Sequence, residues 1–151
     1  MCKTIKLKAH FKAEPSTVYE LLTDPKLHRA FSGKPASIER KPGGRFSTFA
    51  GRVSGISIDL LPGKRIVQAW RDRSFPEGIF SMATFNLMRT KRGETELILT
   101  HRGVPKALIP RIETEWRKLY WERMKAYLAS KDHSAWRTQA RYPRRLAKLM
   151  V

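Results

Sequence analysis

Residues 4 to 12, TIKLKAHFK, alternate apolar Ile5, Leu7, Ala9 and Phe11 with Lys6, Lys8, His10 and Lys12. A period of two marks a strand with one buried face, and here the solvent face is basic. In EPSTVYELLTD the period changes: Pro15 suits a first helical turn, and Val18, Leu21 and Leu22 recur at helical spacing. DPKLHRAFSG predicts a second short helix, opened by Asp24 ahead of Pro25 and closed at Gly33. Between residues 34 and 103 lie the strand-like runs RFSTFAG, RVSGISIDL, RIVQAWR, FSMATFNLM and TELILTH. KPGG, LPGK, FPEG and KRGE punctuate this region with turn chemistry, and gaps this short permit hairpins but not parallel crossovers. Gly51 and Gly55 interrupt strand text and predict bulges or bends that curl the sheet.

The last periodic segment predicts one long helix from residue 108 to about 130. Ile112, Trp116, Leu119, Tyr120, Met124 and Tyr127 keep steps of three and four, and Trp121 and Leu128 widen the stripe. That stripe is too broad for a coiled-coil seam and suits a helix gripped by a concave sheet. Glu113 with Arg117 and Glu115 with Lys118 are spaced to brace the exposed side. The pattern as a whole is α+β: a curved antiparallel sheet wrapped around a long C-terminal helix, with two short helices after the first strand. Residues 1–130 are expected to form this one domain. Residues 131–151 carry six Lys or Arg against one Asp, with Pro143 among them, and predict a basic C-terminal tail of low order.

A chain of 151 residues fits a single domain that buries roughly 70% of its unfolded surface. It contains no apolar run of about 18 residues, the length needed to span a membrane. MCKTIKLKAHF lacks the continuous apolar segment of a signal peptide, and a lone Cys2 cannot form an internal disulfide. Together these imply a cytoplasmic protein. Charge changes the picture: 31 Lys and Arg against 13 Asp and Glu leave a net +18, a field that attracts polyanions and acidic protein surfaces. The expected partner-binding basic surface comprises Lys6, Lys8 and Lys12 on the first strand and Arg141, Arg144 and Arg145 in the tail. No helix-turn-helix, zinc-finger or RNP pattern accompanies it. Nucleic-acid binding is therefore the alternative reading, as weak, sequence-blind attraction that salt abolishes.

Catalytic chemistry finds little to build on. His10, His28, His101 and His133 show no metal-ligand spacing, so no cofactor is expected. Asp59 and Glu39 are strand acids with no second acid facing them, no Gly-x-Ser-x-Gly elbow exists, and Cys2 has no base in view. LPGKR and KPGGR are hairpin turns without the spacing of a phosphate loop. With no convergent acid, base, nucleophile or metal set, a non-enzymatic binding module outranks an enzyme. His101 shares an inward face with Leu97 and Leu99 and reads first as a hydrogen-bonded strand-end histidine.

TEWRKLYWERMKAYL, residues 114 to 128, holds two Trp and two Tyr. Such a stripe is first of all core. A strongly curved sheet around one helix also leaves room for a ligand-sized hollow, above about 300 Å³, that takes an apolar small molecule. Its expected lining residues are Phe31, Trp70, Ala83, Phe85, Leu99, His101, Trp121 and Met124.

The element order resembles the helix-grip fold of the START-like (SRPBCC) superfamily. VYELLTDPKLHRAFSGKPASIE, GGRFSTFAGRVSG, LLPGKRIVQAWR, FPEGIFSMATF, GETELILTHRGVP and WRKLYWERMKAYL resemble the family of the activator of the heat-shock protein 90 (Hsp90) ATPase, its C-terminal domain in particular. These stretches cover about residues 15 to 128 in the right order. The resemblance implies about seven antiparallel strands wrapped on the last helix. It also implies co-chaperone-like engagement of an Hsp90-type chaperone, which the family's domain makes behind a separate N-terminal domain. A chain that begins at the first strand lacks that second domain, so little ATPase stimulation is expected. Wider superfamily members bind apolar ligands, and a few, resembling polyketide cyclases, are enzymes. The basic tail is not part of the family pattern.

Overall fold

A computed structural model describes residues 3 to 139, and side chains for residues 3 to 131. The first strand, β1 (Ile5–Phe11), leads into α1 (Pro15–Thr23) and α2 (Pro25–Ser32). Asp24 ends the first helix and caps the second, its Oδ1 accepting from the N–H groups of Lys26 at 2.8 Å and Leu27 at 3.2 Å. These are orphan donors that a helix start must satisfy from outside. Gly33 closes α2 at φ 75°, a left-handed conformation that costs glycine nothing.

The meander follows as β2 (Ser37–Ile38), β3 (Arg45–Thr48), β4 (Val53–Leu61), β5 (Arg65–Asp72), β6 (Ser81–Arg89) and β7 (Thr95–Arg102). All pairings are antiparallel, in the order β1-β7-β6-β5-β4-β3-β2, and β1 returns to pair with β7 with Leu7 opposite Leu99. That register places the apolar alternates of β1, β5, β6 and β7 on one concave face, where Ile5, Phe11, Ile66, Phe85, Leu97 and Leu99 are buried.

The two glycines expected to bend the sheet act differently. The one irregularity in β4–β5 pairing falls between Ser57 and Asp59, so Ile58 is the bulged residue. Gly55 lies in regular ladder, and a Cβ there would strike the Phe46 ring at 2.9 Å and the carbonyl of Ala69. Gly51, at φ 87°, follows Phe49 at φ 53° and Ala50 at φ 57° in the β3–β4 hairpin. Non-glycine residues seldom adopt this conformation, and packing must hold them there. The Phe49 ring lies 5.1 Å from Tyr120 and 5.4 Å from His28, buried between them.

The long helix is composite rather than regular. A 3₁₀ turn (Lys106–Leu108) runs into α3 (Ile109–Glu115), a π-helical turn (Trp116–Trp121) and α4 (Glu122–Gln139). In a regular α-helix residues five apart diverge around the axis, whereas a π turn returns them to one face. Trp116 and Trp121 accordingly stack at 5.7 Å with 26° between planes, and Tyr120 lies 4.2 Å from Trp116. The aromatic density of this segment is thus packed by a local change of helix type.

α4 also runs past the expected end near residue 130. KDHSAWRTQ contains neither Gly nor Pro to stop it. The remaining expected tail, including Arg141, Arg144 and Arg145, lies outside the described residues. The expected pairing of Glu115 with Lys118 is replaced: Glu115 faces the β3–β4 hairpin and binds Arg52 and Arg111.

Candidate functional site

Sheet and helix bring the eight expected cavity residues together. Phe31, Trp70, Ala83, Phe85, Leu99, His101, Trp121 and Met124 are all buried in one core. Trp70 shares its face with Ile66, two periods along β5, which settles its inward direction. Among the described residues, this core holds voids of about 10 Å³ against Phe49, Ile112 and Trp116 and against His28, Thr48 and Phe85, in place of the expected ligand-sized hollow. Each is the size of a single water. The rings that the π turn gathers meet Phe85, Trp70 and Phe11 at edge-to-face or tilted distances of 5.5 to 6.1 Å and fill the concavity. Ala83→Phe is therefore expected to destabilise the fold by about 1–3 kcal/mol through overpacking, read as a lowered thermal midpoint.

His101 is fully buried in a closed relay. The Trp116 indole N–H donates to its Nδ1 at 3.0 Å, which places its own proton on Nε2. That proton is donated to Ser81 Oγ at 2.7 Å, and the Ser81 hydroxyl donates onward to the Trp70 carbonyl oxygen at 3.0 Å. Every donor has an acceptor, so the imidazole is locked neutral, and burial pushes its pKa down to about 3. A base so weak and so enclosed orients the core rather than moving protons.

His28, given no role by the sequence reading, is also buried, its ring 4.6 Å from Phe31 and 6.1 Å from Tyr120. Its signal was the three-residue step to Phe31, which puts both on the inner side of α2. Burial pushes its pKa down to about 4. Its Nδ1, like Thr48 Oγ1, meets no hydrogen-bond partner among the described residues. Burial also raises the Tyr120 hydroxyl well above its ordinary value.

A second cluster escaped the sequence reading. Asp72, at the end of β5, accepts from Arg52 Nε at 3.2 Å, Arg111 Nη2 at 3.1 Å, and the Ser74 N–H at 2.9 Å. Glu115 accepts from Arg111 at 3.1 Å and from Arg52. Burial alone would raise the Asp72 carboxyl, but the Ser74 hydrogen bonds and the Arg111 guanidinium outweigh it and hold the pKa below its ordinary value. The cluster clamps the β3–β4 hairpin and β5 to α3. The alternation Ile66, Trp70, Asp72 already placed this acid on the inner face.

The remaining candidates are scattered. Asp59 binds Arg65 at 2.9 Å, and Glu39 accepts from the Arg45 backbone N–H at 2.8 Å. Among the described residues no group of three His, Cys, Asp or Glu could hold a metal. No described helix is long and apolar enough to cross a membrane. Lys6 and Lys8 are exposed on the convex face of the sheet, where Lys8 lies 3.7 Å from Glu96, and Lys12 borders an open groove with Lys125 and Leu128.

The family described as "Activator of Hsp90 ATPase homolog 1-like protein" matches residues 12–129. The chain is 40% identical over 124 residues to the human activator of 90 kDa heat shock protein ATPase homolog 1, covering 82% of this chain and 36% of that protein. A Dictyostelium discoideum activator homolog is 29% identical over 123 residues, covering 82% and 32%. A crystal structure described as an Hsp90 activator from Plasmodium falciparum superposes with a TM-score of 0.79 at 24% identity, covering 83% of this chain and 96% of that one. The chain spans about a third of the length of the curated relatives it matches. With its seven-stranded antiparallel sheet closed on a long C-terminal helix, the chain belongs to the Activator of Hsp90 ATPase homolog 1-like family and carries its helix-grip, START-like fold.

Proposed function

We propose that the protein is a non-enzymatic, co-chaperone-like binding module whose partner is an Hsp90-type chaperone. The observation that carries this reading is the 40% identity over 124 residues, 82% of this chain, to a named Hsp90 ATPase activator. The filled interior supports recognition by surface contact, because voids of about 10 Å³ offer an apolar small molecule no room. The locked, neutral His101 and the arginine-paired Asp72 and Glu115 speak against acid–base chemistry at this site.

A net charge of +18 steers the protein toward an acidic surface, and the steering weakens as salt screens it. Isothermal titration with an Hsp90-type chaperone is expected to show association in the micromolar range that declines with added salt. Absence of heat at about 100 μM chaperone, equivalent to binding weaker than roughly 5–6 kcal/mol, would overturn the reading. The same charge supports weak polyanion binding that salt abolishes, without discrimination of sequence.

A further inference from the structure

We propose that the convex face of the sheet, along the strip from Met82 to Ile56 beside Phe80, docks an acidic partner segment that inserts an apolar side chain there. This deepens the protein-binding reading above and rests on it.

The register writes the strip out. Across neighbouring strands the outward row runs Arg102, Met82, Ala69, Ile56, Arg45, so three apolar residues lie between two arginines. Phe80, 48% exposed, stands just before β6, with the Arg71 guanidinium 5.9 Å from its ring. Arg71 also donates to the carbonyls of Phe75, Pro76 and Ile79, fixing the loop that presents Phe80. Beside it opens a groove of about 470 Å³, walled by Ile56, Phe46 and Phe80 and edged by Ser47, Ser54 and Arg45. Among the described residues, every large apolar side chain that is strongly exposed lies on β4, on β6 or in the loop entering β6. The outer side of the long helix instead presents Arg117, Lys118, Glu122, Arg123 and Lys125. An apolar patch rimmed by polar groups is the signature of a contact surface.

Charge selects the occupant. Asp59 is paired with Arg65 and Glu96 with Lys8, and Glu39, which also edges the groove, accepts from the Arg45 backbone N–H at 2.8 Å, while the Arg45 and Arg102 side chains have no ion-pair partner among the described residues. A second copy of the chain brings another +18. The chain's own residues 140–151 bring four cations and no acid. Both are repelled by an arginine rim, whereas Asp or Glu flanking an apolar side chain is drawn to it.

The test is a nuclear magnetic resonance titration of the full chain with two ligands: an Hsp90-type chaperone, and a synthetic peptide alternating Glu with Leu and Phe. Both are expected to shift the amides of Ile56, Ala69, Phe80 and Met82. Phe80→Ser with Met82→Glu, both at exposed positions, is expected to weaken binding about tenfold or more with the thermal midpoint kept. Lys6→Glu with Lys8→Glu is expected to weaken it only about two- to threefold, through lost steering. Chaperone that fails to bind while the peptide maps to the strip removes the proposed function and leaves this surface standing. Chaperone that binds through the long helix or β1, indifferent to the strip substitutions, keeps the function and overturns this inference. Strip amides that respond to neither ligand, or that shift with protein concentration alone, overturn it as well, the latter by assigning the face to a second copy.

Discussion

Trp116→Ala is expected to remove roughly 3–5 kcal/mol of folding stability, measured as a shift in the urea midpoint at unchanged slope. The indole is 1% exposed and lies within 4.2 to 5.7 Å, ring to ring, of Trp70, Phe85, His101, Tyr120 and Trp121. Its loss opens a cavity that elements on both sides cannot easily close, since sheet and helix are each held elsewhere. It also leaves His101 Nδ1 an acceptor without a donor. Trp116→Phe separates the two contributions: most of the ring volume stays, the indole N–H goes, and a loss of about 1–3 kcal/mol is expected. An alanine variant losing under about 1 kcal/mol would show that the interior collapses freely around the site.

Acid is expected to unfold the protein earlier than its carboxylates alone would. His28 and His101 carry pKa values of about 4 and about 3 in the fold against an ordinary 6.5. Both are depressed, so below 6.5 the unfolded chain binds protons that the folded one refuses, and stability falls with pH. The contribution is intact above 6.5 and is lost as pH drops through the window from 6.5 to about 4, where His28 charges within the fold, and on to about 3 for His101. With two groups each linked at about 1.4 kcal/mol per pH unit, the loss by roughly pH 5 is on the order of 4 kcal/mol. Among the described residues no charged side chain is paired with either ring: His101 meets Ser81 and Trp116, and His28 meets Phe31, Phe49 and Tyr120. Urea unfolding at stepped pH reads the slope directly. His28→Leu is expected to halve it, and a stability that stays flat from pH 7 to roughly pH 5 would contradict the buried, neutral state of both histidines.

The folded interior also bears on how this family member recognises anything. A sheet that curls around a helix can enclose a pocket, and here buried aromatic rings occupy the concavity. On the outside the molecule carries arginines around an apolar strip on the convex face and lysines at the β1 edge.

Much of this architecture was legible in the chain because strand alternation, helical periodicity and Pro or Gly punctuation are local signals. TIKLKAHFK, the Asp24 cap and the hairpin turns each state their conformation within a few residues, and the antiparallel meander follows from gaps too short for anything else. The inward directions of His101 and Asp72 were likewise within reach of a period-two count along β7 and β5, whereas the arginines that bind Asp72 come from distant elements. Other features depend on partners distant in sequence. Helical spacing in TEWRKLYWERMKAYL predicts a ring-rich stripe, but the π turn that stacks Trp116 on Trp121 sets those rings against Trp70 and Phe85, which β5 and β6 bring from elsewhere in the chain. Phe49 and Ala50 hold a left-handed backbone that their own side chains disfavour, because the Phe49 ring is buried against Tyr120 and His28. Whether the concavity is hollow or filled is a sum of volumes from the seven strands and the helices packed on them, and no periodicity along one chain carries that sum. Local pattern names the face each residue presents; only the assembled neighbours determine what space is left in front of it.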